Sequence, residues 1–239
     1  MTIVQRRQRE KERRRDDIVG AAESLFFAKG YENVTMDEIA KKVELSRPTI
    51  YLYFENKESL YLFIVVRGLK RLSEIVQKKV KGKKKGIDGV RCIWNAYMEF
   101  AEECPDHYMA YQYFLHGSFG LDRMMLVDPL GNMDMYGKRP VAPSQGQVVV
   151  NLPYAAQITD IISIHRDIFE ILCDQIGNGI DDGSIRRDVV PGEIATIFLL
   201  LAEHGGILNS IYKIELASKL ISPQKMRNSI MDNLDIQNG

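Results

Sequence analysis

Apolar positions recur along the chain at intervals of three and four, and polar breaks punctuate them. Ile18, Ala21, Ala22, Leu25 and Phe26 make one stripe over residues 12–29, an amphipathic helix that Gly30 stops. Thr35 with Glu38 three positions later has the form of a capping box, which predicts a second helix from about Met36 to about Val43. Ser46 can cap a third helix, with Pro48 in its first turn, where a missing N–H does no harm. Asn56 caps a fourth and longer helix through Leu60, Ile64, Leu69, Leu72 and Val76.

Helical spacing continues beyond the basic, glycine-flanked run "KGKKKG" at 81–86, which reads as a linker. Residues 87–104 and 106–117 form two helices parted by Pro105. Ile158, Ile161, Ile162, Ile168, Leu172 and Ile176 stripe a helix over 155–177, which "GNGIDDGSI" ends with a turn. Pro191 opens a helix that is apolar from Ile194 to Ile211, and Ser222-Pro223 starts a short last one. Only "QVVV" at 147–150 offers a strand pattern, so the fold class is all-α. Residues 118–154 are atypical, rich in Gly and Pro and long for a connection in a packed domain.

The predicted second and third helices are short and joined by a tight turn, the form of a helix-turn-helix. Ala40 supplies the small residue where they cross, and Ile39, Val43, Leu45, Ile50 and Tyr53 fall at inward positions. Arg47, Pro48, Thr49, Tyr51 and Leu52 then face outward, with Lys57 just beyond, while Tyr53 and Phe54 are at least partly core. Arginine can bond guanine edges, Thr and Leu can meet a thymine methyl, and tyrosine hydroxyls suit phosphates. A plain three-helix core is the competing account of the same pattern.

Charge sharpens this picture. The 239 residues carry no net charge, yet residues 1–85 hold 21 Lys and Arg against 12 Asp and Glu, and the remainder reverses the balance. An N-terminal part that meets a polyanion accounts for that asymmetry. The run "RRQREKERRR" at 6–15 is either an arm for the DNA backbone or an adjacent minor groove, or a solvated, frayed end, and Glu10 can pair with Arg14 if the first helix extends back through it. No run of about 18 apolar residues spans a membrane, and the N-terminus lacks a secretory signal. Cys92, Cys104 and Cys173 are scattered and odd in number, which reads as reduced thiols in a cytoplasmic protein.

With these residues in hand the chain resembles the TetR family of bacterial transcriptional regulators. The resemblance covers residues 12–62 and rests on "AAESLFFAKGYENVTMDEIAKKVELSRPTIYLYFENKESLY". Pro48, Thr49, Tyr51, Tyr53, Phe54, Asn56, Lys57 and Leu60 match the family phrase that runs through the recognition helix into the next. A weaker likeness is "DDGSIRRDVVPGEIA" at 181–195. Two features depart from it: Glu44 stands where the family usually has a turn glycine, and 118–154 is longer than the usual connection.

The resemblance implies an N-terminal three-helix DNA-binding domain over 1–62, with its recognition helix at about 47–53. It also implies a larger helical domain over 63–239 for effector binding and dimerisation. The expected function is a homodimeric, ligand-responsive repressor of a palindromic double-stranded DNA operator, released by a small effector. A helical module working through protein contacts, or an activator, are the alternatives. The expected DNA contacts are Thr35, Met36, Arg47, Pro48, Thr49, Tyr51, Tyr53 and Lys57.

For the effector, Trp94, Tyr97, Met98, Tyr108, Tyr111 and Phe114 supply apolar and aromatic surface, and His116 and His165 polar anchors. Packing into an ordinary core explains such residues equally well. Ile161, Ile168, Ile194, Phe198, Leu201, Gly205 and Leu208 on the two late helices are the expected dimer contacts. "CPDH" at 104–107 lacks a second ligand pair, so no metal or cofactor is expected. No nucleophile elbow or phosphate-cradling glycine loop suggests an enzyme.

Overall fold

The computed structural model describes residues 3–115 and 154–204, together with residues 228 and 232. Within them the chain is all-helical, with no strand among the described residues. The helices are α1 (Ile3–Lys29), α2 (Met36–Lys42), α3 (Arg47–Tyr51), α4 (Lys57–Val80), α5 (Gly86–Glu103), α6 (Pro105–Leu115), α7 (Ala155–Asp181) and α8 (Pro191–His204). The segment 118–153, the strand pattern at 147–150, and the expected helix beyond Ser222 lie outside the described residues, as do Gly205, Leu208 and His116.

Contacts divide the chain into two units. One contains α1 to α3, the start of α4 up to Val65, and the described residues Tyr113–Leu115 and Tyr154–Thr159. The other contains Val66–Gln112 and the chain from Asp160 onward.

In the first unit, α1 begins nine residues before the predicted start, because the arm is itself helical. Arg, Lys, Glu and Gln are good helix formers. They add two bridges one turn apart, Arg14 to Glu10 at 3.3 Å and Gln8 to Glu12 at 2.9 Å. Gly30 stops the helix at φ 77°, its N–H bonding the Phe26 carbonyl at 2.8 Å. Ile18, Ala22 and Phe26 of α1, Ile39 and Ala40 of α2, Ile50 of α3 and Leu60 of α4 are buried together as the core. Phe26, Tyr31, Tyr61 and Tyr113 form an aromatic cluster with ring centroids 4.8 to 5.8 Å apart. Arg15 leaves the basic arm for this core and stacks over Phe63 at 4.3 Å and Phe54 at 5.3 Å.

In the second unit, Ile87, Val90, Ile93 and Trp94 of α5, Tyr108 of α6, Ile168 and Leu172 of α7 and Phe198 of α8 are buried. The residue before α5, Lys85, makes no side-chain cap. The orphan donors of α5 are met from the far side of the sequence instead. Asp182 Oδ2 accepts from Gly86 N–H at 2.8 Å, and Ser184 Oγ from Ile87 N–H at 3.3 Å. The Ser184 hydroxyl first, and then the Gly86 and Ser184 N–H groups, hold the Asp182 carboxyl below its usual range. Gly86, read from sequence as the end of a linker, is therefore buried packing surface. A Cβ there would collide with the Gly179 backbone and the Gln175 carbonyl.

Candidate functional site: a helix-turn-helix face and a buried carboxyl cluster

The two helices on either side of the α2–α3 turn are each capped at the N-terminus. Thr35 Oγ1 accepts from Glu38 N–H at 3.2 Å while Glu38 Oε2 accepts from Thr35 N–H at 2.9 Å, the full capping box. Lys29 reaches the same carboxylate at 2.9 Å and, with the Thr35 bonds, holds it at about 2. Ser46 caps α3 through Thr49 N–H at 3.3 Å, with Pro48 in the first turn. Between the two helices Glu44 adopts φ 55°, the left-handed conformation that glycine normally supplies. Leu45 N–H still reaches the Ala40 carbonyl at 2.9 Å, so the turn closes despite the strain.

What α3 offers outward is compact in sequence. Arg47, Pro48 and Tyr51 are exposed, and Leu52 just past the helix is 78% exposed. Thr49 is half-buried and lies 2.7 Å from the Ser46 hydroxyl. Arg47 lies over the Tyr51 ring at 5.7 Å and bonds its hydroxyl at 3.4 Å. It also pairs with Asp37 at 3.2 Å. Both partners are more than half exposed, so the pair is weak and leaves the guanidinium easy to redirect. The helix ends at Tyr51, two residues short of the predicted 53. Leu52 and Tyr53 N–H turn to carbonyls three residues back, at 3.2 and 2.9 Å, which tightens the last turn.

Three expected contacts stand elsewhere. Met36 is buried, its side chain spent on the core. Tyr53 is half-buried. Lys57 donates to the Tyr31 and Val34 carbonyls at 2.9 and 3.0 Å and sits 4.1 Å from the Tyr31 ring centroid. Two of its three donors thus fasten the α1–α2 connection to α4, a structural duty. Thr35 is exposed, with its hydroxyl engaged in the capping box.

Of the expected effector residues, Trp94, Tyr97, Tyr108, Tyr111 and Phe114 are buried, and Met98 and His165 are half-buried. The structure gathers some of them around a residue that the sequence reading missed, Glu203 of α8. Tyr97 hydroxyl donates to Glu203 Oε1 at 3.5 Å, and His165 Nδ1 lies 3.3 Å from the same oxygen. Tyr108 hydroxyl and Gln112 Nε2 donate to the Glu203 carbonyl, and Tyr111 hydroxyl stands 2.6 Å from His165 Nε2. Burial pushes the Glu203 carboxyl up to about 7 and the His165 imidazole down to about 4. A glutamate inside an apolar helix was the only sequence signal for this cluster.

Among the expected dimer residues, Ile161, Ile168 and Phe198 are buried within their own unit. Ile194 and Leu201 are half-buried. The exposed apolar side chains of these helices are instead Ile162, Ile197 and Leu200, each about half exposed. Among the described residues no group of His, Cys, Asp and Glu is gathered for a metal ion, and no helix is long and apolar enough to cross a membrane.

Residues 18–63, which span α1 through the start of α4, match the profile of bacterial regulatory proteins of the tetR family. Those residues are a TetR-family domain. Curated relatives include the HTH-type transcriptional activator FasR of Mycolicibacterium smegmatis, 29% identical over 98 residues, which are 41% of this chain and 45% of FasR. The biofilm operon negative transcriptional regulator IcaR of Staphylococcus aureus is 28% identical over 95 residues, 40% of this chain and 50% of IcaR. The chain thus matches about half the length of these relatives. Among solved structures, the transcriptional regulator FadR of Bacillus subtilis in complex with stearoyl-CoA superposes with a TM-score of 0.58 at 16% identity. That match covers 92% of this chain and 97% of FadR, a likeness of fold.

Proposed function

We propose that this chain is a TetR-family regulator, a homodimer that binds a palindromic DNA operator through α3 and is released from it by a small-molecule effector. The observation that carries the reading is the α3 face. Arg47, Pro48, Tyr51 and Leu52 stand exposed on and just past a short helix capped by Ser46, an arrangement without use to the core and suited to a major groove. Two such helices need a partner chain. The exposed apolar side chains Ile162, Ile197 and Leu200 on α7 and α8 are the surface on which a second copy would pack.

The effector is mainly apolar in this reading, and the bound stearoyl-CoA of the neighbour FadR favours an acyl chain. Repression is the expected sign, in line with the negative regulator IcaR. Activation is the second reading, favoured by the activator FasR. DNA and effector both place its work in the cytoplasm.

The test is fluorescence anisotropy on DNA from immediately upstream of the chain's own coding region, alongside Tyr51→Ala. Truncating that ring removes one phosphate or base contact, so affinity should fall by roughly tenfold, or 1–2 kcal/mol, with fold and dimer mass unchanged. Equal binding to random DNA by both proteins refutes operator reading and moves protein contacts to the front. A reporter driven by the same DNA then separates repression from activation.

A further inference from the structure

Outside the α3 face, the first unit holds a groove of about 570 Å³ between the arm and the helix-turn-helix. Arg6, Arg9, Arg13 and Arg14 of α1 wall it, and Val43 and Leu45 from the turn before α3 form the opposite side. Glu10 and Asp17 also line it, and Glu10 is held by Arg14 at 3.3 Å. Arg6, Arg9 and Arg13 are spaced three and four apart, so they share one helix face over about 10 Å.

The helical state of the arm decides what it can grip. An α-helix with side chains is about 10–12 Å across, and the B-DNA minor groove is about 6 Å wide. A flexible arginine arm can enter that groove, and this arm, helical from Ile3, cannot. Leu45 stands two residues before Arg47, so whatever occupies the groove lies beside the start of α3.

We infer that this groove takes the sugar–phosphate backbone flanking the bases read by α3, with Arg6, Arg9 and Arg13 as a rigid phosphate comb. The inference rests on the proposed operator binding and extends it to a second, sequence-independent surface. Each neutralised phosphate contributes about 0.9 to the slope of log affinity against log salt, so three contribute about 2.7. The comb raises affinity without changing which bases are preferred.

The full chain is tested on two duplexes of about 40 base pairs, one enriched by the chain from a random library and one of random sequence. The variants are the triple Arg6→Gln, Arg9→Gln, Arg13→Gln and the separate Tyr51→Ala. Glutamine is a good helix former, so α1 persists, and far-UV circular dichroism verifies it. The expected result is a salt slope lower by about 2.7 in the triple variant on both duplexes. Its affinity loss relative to the unaltered chain is then about 40-fold larger at 50 mM salt than at 200 mM, with the ratio between the two duplexes preserved. Tyr51→Ala does the reverse, lowering the ratio and sparing most of the slope. An unchanged slope in the triple variant overturns the comb while operator binding stands. A triple variant that loses the ratio instead makes the arm a base reader and overturns the inference equally. Absence of binding by the unaltered chain to either duplex removes the operator reading and the comb with it.

Discussion

Glu203 and His165 pull the stability of the second unit in opposite directions with pH, and mutating one exposes the other. Burial raises the Glu203 carboxyl from 4.5 to about 7. The folded state therefore holds that proton more tightly, and the stabilisation is complete below pH 4.5 and lost as pH rises through 7. His165 is displaced the other way, from 6.5 to about 4. Its contribution is complete above pH 6.5 and lost as pH falls through 4. Each displacement is worth about 3 kcal/mol at its limit. Around pH 5.5 the folded chain carries the proton on Glu203 and the unfolded chain on His165. Proton counts then match, and stability should be flat from pH 4.5 to 6.5 as far as this pair decides it.

Single substitutions break the balance. In Glu203→Gln only the histidine remains, and stability should rise by about 2 kcal/mol between pH 4.5 and 6.5 relative to the unaltered chain. In His165→Gln only the carboxyl remains, and stability should fall by about 2 kcal/mol over the same interval. The double variant should again run parallel to the parent. Urea unfolding followed by tryptophan fluorescence reads this directly. Trp94 is the only tryptophan in the sequence, and it is buried 5.5 Å from Phe198, one and a half turns before Glu203 on α8. Titrations common to all four proteins cancel in the differences. Parallel profiles in both single variants would refute the reasoning, because both groups would then titrate alike in the folded and unfolded states.

Two further outcomes are expected. Glu44→Gly should raise stability to urea by about 0.5–1 kcal/mol by relieving the left-handed turn, whereas Glu44→Gln keeps the strain and should gain nothing; equal gains would assign the effect to charge. Ile197→Lys with Leu200→Lys should turn the proposed dimer into a monomer in sedimentation velocity with helical content retained, and a dimer that survives both changes places the interface elsewhere.

The parts legible in the sequence are those whose physics is local. Thr35 and Glu38, Ser46 with Pro48, Asn56, Gly30 and the Glu10–Arg14 pair each act within one helical turn, and each stands in the structure in the role its spacing assigned. The left-handed turn at Glu44 was marked through the resemblance, because Glu44 stands where the family usually has glycine. What escaped is set by partners far along the chain. Lys57 looks like a phosphate ligand until Tyr31 and Val34 are folded against it, and Gly86 looks like a linker until Asp182 and Gly179 close on it.

Phase on an apolar helix belongs to the same class of hidden fact. From Ile194 onward α8 offers apolar residues on every side, so period alone cannot choose which stripe is core. The packed chain chooses Ala195, Phe198, Leu199 and Ala202 for the inside, which turns Ile197 and Leu200 outward. Those two lie three positions apart and share a stripe about 5 Å long, too short to be a stable interface alone. Ile162, exposed on α7, is the kind of second anchor such a patch needs. The same choice of phase carries Glu203, one residue past Ala202, into the tyrosine cluster. Rotating α8 by one residue, about 100°, would expose Phe198 and free the carboxyl together, so the outward stripe and the buried proton are fixed by one packing decision.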